Sequence, residues 1–175
     1  MTAGRLERLL PFACLAAAVV LFASQLMTMF EFTPPGAEPL DERSVIDQHG
    51  PAIMVVAAFA IFALVVTFFT GSQPAAIAVA AMGFLAVLFF LVIDLPDAGQ
   101  VGTLDDARQS FIDAEAVPQA GFWFEMLGAL GLALTGGALA TMNPKQLTSL
   151  RGGLFKRGGT PKRQTKPAEP ARKSG

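Results

Sequence analysis

The chain alternates between long apolar runs and short polar stretches. Leu9–Phe30, Pro51–Thr70 and Ala75–Ile93 contain no charged residue, and Gly121–Met142 contains only Glu125. Runs of about 19–22 residues reach about 28–33 Å as helices, matching the hydrocarbon thickness of a bilayer. Each therefore predicts a transmembrane helix. The second and third are separated only by Thr70-Gly71-Ser72-Gln73-Pro74, and so short a connection forces antiparallel neighbours. Pro51 suits a first helical turn, where its missing N–H would be unpaired anyway.

The polar stretches predict two loops, residues 31–50 and 94–120. Thr33-Pro34-Pro35-Gly36 stops the first helix, and Leu40–Gln48 has the spacing of one or two helical turns lying on the membrane surface. In the second loop, Thr103 and Asp106 resemble a capping box. A helix from there to about Ala116 would put Leu104, Ala107, Phe111 and Ala114 on one side. Phe122-Trp123-Phe124 at the start of the fourth run is the aromatic cluster expected at a headgroup boundary. Asn143-Pro144 closes that run. The remainder, to Gly175, is rich in Lys, Arg, Pro, Gly and Thr, a composition that predicts disorder with a short surface helix only at Leu147–Phe155.

Composition agrees: 53% of residues are hydrophobic and 15% charged, against about 25% charged in soluble domains. The expected fold is all-α, a polytopic membrane protein with four helices in an antiparallel bundle (residues 1–143, spans about 9–30, 51–70, 75–93 and 121–142) and a basic tail (144–175). The first run is longer than the apolar core of a cleaved signal peptide and reads as an uncleaved signal anchor. Nine of the tail's residues are basic and only Glu169 is acidic. With Arg5 and Arg8 at the other terminus, the positive-inside rule places both ends in the cytoplasm and both loops outside. Every positive charge before Lys145 is arginine, a bias that fits GC-rich coding and a bacterial plasma (inner) membrane.

The loops also resemble each other. Glu31 and Asp94 each precede a proline at the end of a run, and Ser44-Val45-Ile46-Asp47 parallels Ser110-Phe111-Ile112-Asp113, with Pro51 and Pro118 following. Two readings stay open: a duplicated unit of span, acidic loop and span, with both copies in one orientation, or chance likeness among helix ends.

Candidate chemistry is sparse. Cys14 is the only cysteine, which excludes disulfide exchange and cysteine metal clusters and leaves a small packing residue. Glu125 is the one ionisable group well inside a span. It reads either as a cation or proton site shared with Glu31, Asp94 or His49, or as an interfacial acid reaching the headgroups, and its shallow depth favours the second. His49 is the only histidine, without a second ligand at HxxxH or HExxH spacing, so no metal or haem site is expected. Ser24, Thr28, Thr67 and Thr135 have no histidine or lysine within the spans to activate them, and no glycine-rich phosphate cradle occurs. No catalytic residue and no cofactor is expected.

Small residues recur at helical spacing: Ala76, Ala80 and Gly83, and Ala129, Ala133 and Gly137. Such stripes let membrane helices approach closely. The basic tail is suited to anionic lipid headgroups, and its lack of interleaved aromatics other than Phe155 argues against specific nucleic-acid binding. The four-span plan resembles claudin-like and other tetraspan proteins in topology only, since their tryptophan and paired-cysteine loop signature is missing. These features point to a non-enzymatic accessory, scaffold or assembly factor whose partners are the bilayer and another membrane protein or itself. The alternative is a small transporter or channel subunit handling a cation or proton through Glu125 and the outer acids.

Overall fold

The computed structural model describes residues 3–34, 41–99, 101–106 and 109–155. The chain is mostly helical, and among the described residues three helices are long and apolar enough to cross a membrane: Ala52–Thr70, Gln73–Asp97 and Ala120–Ala140. In order the elements are α1 (Ala3–Ser24), β1 (Thr28–Thr33), β2 (Asp41–Ser44), α2 (Val45–His49), α3 (Ala52–Thr70), α4 (Gln73–Phe89), a π turn (Phe90–Asp94), α5 (Leu95–Asp97), β3 (Val101–Asp106), β4 (Gln109–Pro118), α6 (Ala120–Ala140) and α7 (Pro144–Phe155). Helix α1 ends at Ser24, six residues before the end of its apolar run, because Thr28–Thr33 leaves as a strand. Its apolar part, Leu9–Ser24, is the shorter one.

α6 lies along both α1 and α4, and α3 touches α4 and α1. Glycines set the closeness. A Cβ on Gly128 would stand 2.6 Å from the Leu21 backbone nitrogen, and one on Gly83 would stand 2.5 Å from that of Ala133. Gly131 faces Ala17, and Gly136 faces Ala80. Leu21 with Gly128, Ala17 with Gly131 and Cys14 with Thr135 run antiparallel down the α1–α6 seam. Of the expected packing stripes, Ala76 and Ala129 are buried, and Ala80, Gly83 and Ala133 sit at the α4–α6 contact. Gly137 does not, having nothing within 4 Å of an added Cβ. Its neighbour Gly136 makes the contact, being seven residues from Ala129, so the inward stripe passes through it.

The α3–α4 turn is Gly71-Ser72 alone. Gly71 takes φ 66° and donates its N–H to Thr67 O at 2.9 Å, a left-handed cap that favours glycine. It also has no room for a side chain, because Thr148 of α7 lies against it. α7 is folded back on this end of the helices, with Leu147 and Leu150 buried. Residues 156–175 of the tail, and Pro35 and Gly36 of the predicted stop, lie outside the described residues.

At the other end both loops form one antiparallel sheet in the order β2-β1-β4-β3. This overturns the expected helix at 103–116. Thr103, the supposed N-cap, pairs with Asp113, and Leu104 pairs with Ile112. The local sequence Ile112-Asp113-Ala114-Glu115-Ala116 alternates apolar with acidic, the period of a half-buried strand, and that outweighs the looser 3–4 spacing. Ala116 is accordingly buried between the exposed Glu115 and Val117. The first loop is strand and then helix: Ser44 caps α2 through a box with Asp47, accepting from Asp47 N and donating its own N–H to Asp47 Oδ2 at 3.2 Å. The segments matched between the loops therefore fall in unlike elements. Asp47 is at the start of a helix and Asp113 in a strand, while Glu31 is in a strand and Asp94 in a π turn.

A shift in register between Thr28 and Phe30 marks a bulge in β1. It lets consecutive residues Met29 and Phe30 both turn inward. They pack with Val45, Phe90, Ala116 and Phe122 into an apolar cluster between sheet and helices.

Two outcomes test this architecture. Gly83→Leu should be destabilised by well over the ~1–3 kcal/mol of ordinary overpacking, since the blocking atoms are backbone, whereas Gly137→Ala should unfold at least as late as the parent in detergent. Separately, hydrogen bonds from Ser44 hold the Asp47 carboxyl below the usual carboxylate range. Its contribution is thus present above the ordinary aspartate range and lost as pH falls through the lowered value. Protection of the α2 amides relative to the intrinsic exchange rate at each pH should fall on acidification, and Asp47→Asn should abolish that pH dependence.

Candidate functional site

α6 presents an inward face of Phe122, Glu125, Gly128, Leu132, Gly136 and Leu139, at intervals of three and four residues. Glu125 is on that face and is 0% exposed. The interfacial reading, in which it reaches the headgroups, is therefore overturned: depth alone suggested an outward acid, but the helical phase it shares with Gly128 turns it toward α1 and α4.

Two residues meet it there. Asp94 is also 0% exposed and acts on the Glu125 carboxyl both by charge and by hydrogen bonding. It is the last residue of the π turn, where Leu95 N–H bonds to Phe90 O. Pro96 two residues later has no N–H to continue the α pattern, which explains a widened turn here. Gln25, just past the end of α1, is the second neighbour. It too is fully buried. Ser24 Oγ donates to Leu21 O at 2.8 Å, which uses the hydroxyl hydrogen. Ser24 Oγ is therefore left to accept from Gln25 Nε2 at 3.2 Å. That fixes the amide, leaving Gln25 Oε1 as the free acceptor. Among the described residues no donor reaches Gln25 Oε1, Glu125 Oε1 or Glu125 Oε2.

The surroundings are dry. Phe90 and Phe122 meet at a tilt with centroids 4.9 Å apart, and Phe30 and Phe122 at 5.8 Å, in the apolar cluster one turn of α6 toward the sheet. On the inner side the Leu21–Gly128 contact closes it. Uncompensated burial of a charge costs many kcal/mol, so such groups are paired or neutral.

Of the predicted site residues, Glu125 and Asp94 are brought together. Glu31 is not with them: it lies in β1, half-buried, and accepts from Gln119 Nε2 at 2.6 Å, a bond between the two central strands' ends. His49 ends α2, and its side chain lies outside the described residues. Among the described residues no group of three or more His, Cys, Asp or Glu could hold a metal ion. Gln25 escaped the sequence reading, which sought ionisable groups. The signal was present as Ser24-Gln25, a polar pair late in an otherwise apolar run. An apolar groove of about 180 Å³ between α1 and α3, lined by Pro11, Phe12, Leu15, Leu64, Val65, Phe68 and Phe69, carries no reactive group.

Comparison of the chain with protein-family models, curated proteins and solved structures finds no match to any of them. The site is consequently read from its own chemistry.

Glu125→Ala should cost about 2–4 kcal/mol through the cavity it leaves, while Glu125→Gln should cost markedly less. Unfolding in detergent compares them, and equal loss in both variants would mean that the carboxyl's shape and polarity contribute nothing.

Proposed function

We propose that the chain is a non-enzymatic integral membrane protein that crosses the bilayer four times and serves as an accessory, scaffold or assembly factor. The observation that carries this reading is the sheet formed jointly by the two loops, whose outer strands β2 and β3 are its edges. Edge strands offer unpaired backbone groups to which a partner can add a strand. α1 is read as the fourth span; its contacts with α6, from Leu21 down to Cys14, support this reading. Four spans put both termini on the basic side, taken as the cytoplasm of a bacterial plasma membrane, and the sheet outside. The tail then meets anionic lipid headgroups, and the sheet meets another membrane protein or a second copy of this chain.

The rival reading is a small transporter or channel subunit passing a cation or proton through Glu125 and the outer acids. The buried Glu125–Asp94 pair favours it. Against it, α6 closes on the α1 backbone at Gly128, one turn below the pair, and on α4 at Gly83 and Gly136 further down, where a pathway would need space.

In a Cys14→Ala background, Asp41→Cys and Asp106→Cys should each react with a membrane-impermeant thiol reagent added from outside, and protection of both would sink the orientation. For the role itself, one defined protein should co-purify from native membranes with the parent. It should be lost when Asp41–Ser44 is replaced by a glycine-serine stretch that removes edge strand β2; retention of the same partner by that variant would count against docking at this edge.

A further inference from the structure

The strongest unexplained chemistry in the molecule is the Gln25–Asp94–Glu125 cluster, and it is independent of whether the sheet docks a partner. Gln25, whose amide N–H donates to Ser24 Oγ, is completely buried beside Glu125, and no donor among the described residues reaches its Oε1. Both Glu125 oxygens are in the same condition, with the Asp94 carboxyl beside them. The facing groups are these: from the end of α1, Ser24 and Gln25, both neutral; from the π turn, Asp94; from α6, Glu125 itself. No described basic residue acts on Glu125.

We propose that this cluster is a proton-binding site in which Glu125 stands at neutral pH as a carboxylic acid. Its O–H donates to the Asp94 carboxyl beside it. Two carboxyls in contact do not both ionise in a water-excluded site, and one proton supplies both the missing donor and the missing positive charge. A proton also needs no coordination shell, and the aromatic cluster on one side and the glycine-tight contact on the other leave little room for one. The site lies one helical turn inward from Phe122, at the sheet end of the helices.

Infrared spectroscopy of the intact chain in lipid nanodiscs tests this without requiring a variant. At neutral pH the parent should give a protonated-carboxyl C=O stretching band that moves on exchange into deuterium oxide. The band should shift when glutamate, and not when aspartate, is labelled with carbon-13 at the side-chain carboxyl. Glu125→Gln should remove one carboxyl's worth of that intensity, and Asp94→Asn should keep the band at an altered frequency. A band absent from the parent overturns the proposal, as does one that shifts only with labelled aspartate or survives unchanged in Glu125→Gln. Absence of the band together with stabilisation by sodium over a larger cation would assign the site to a metal cation instead.

Discussion

Backbone meeting backbone along α6 is the constraint on which the rest depends. Within lipid, helices gain nothing from hydrophobic exclusion of water, so association rests on close packing. Gly128 admits α1, Gly83 of α4 admits α6, and Gly136 admits α4 in return. These contacts fix α6 in rotation as well as position. Once Gly128 faces Leu21, Glu125, three residues earlier, must face inward too.

That rotation sets both the site and the sheet. It carries Phe122 under β1, where it meets Phe30 and Phe90, and thus ties the sheet to the helices through an aromatic core. It also commits an acid to a dry interior, where two further polar groups converge on it. The tie and the acid lie on adjacent turns of one helix. The sheet end is accordingly the chemically distinctive part of the molecule, while the opposite end is closed by Gly71, Leu147 and Leu150.

Hydropathy made the helices legible because lipid solvation imposes a single length and composition on every crossing segment. Pro51–Thr70 differs from its helix by one residue. The sheet was less legible. A strand of four residues, such as Asp41–Ser44, carries too short a period to detect, and its formation depends on β1, itself hidden at the end of an apolar run. Glu125 and Asp94 were visible as acids, but their meeting was not, since it follows from the phase of α6 against α4. Gln25 was concealed by the expectation that the first helix continues to Phe30. The chain leaves the helix at Ser24, and that exit brings the amide to the helix ends.

The central claim is that the two loops, distant in sequence, meet as neighbouring strands β1 and β4 above the helices. Paired residues in such a ladder stand about 4.5–5.5 Å apart, within disulfide range, and diagonal neighbours stand about 7–8 Å apart. Thr33 is the register partner of Glu115. In a Cys14→Ala background, Thr33→Cys with Glu115→Cys should form a disulfide under mild oxidation, detected as a closed loop by mass spectrometry after proteolysis. Thr33→Cys with Val117→Cys, a diagonal pair, should form far less. Failure of the first pair, or equal yields from both, would contradict the account.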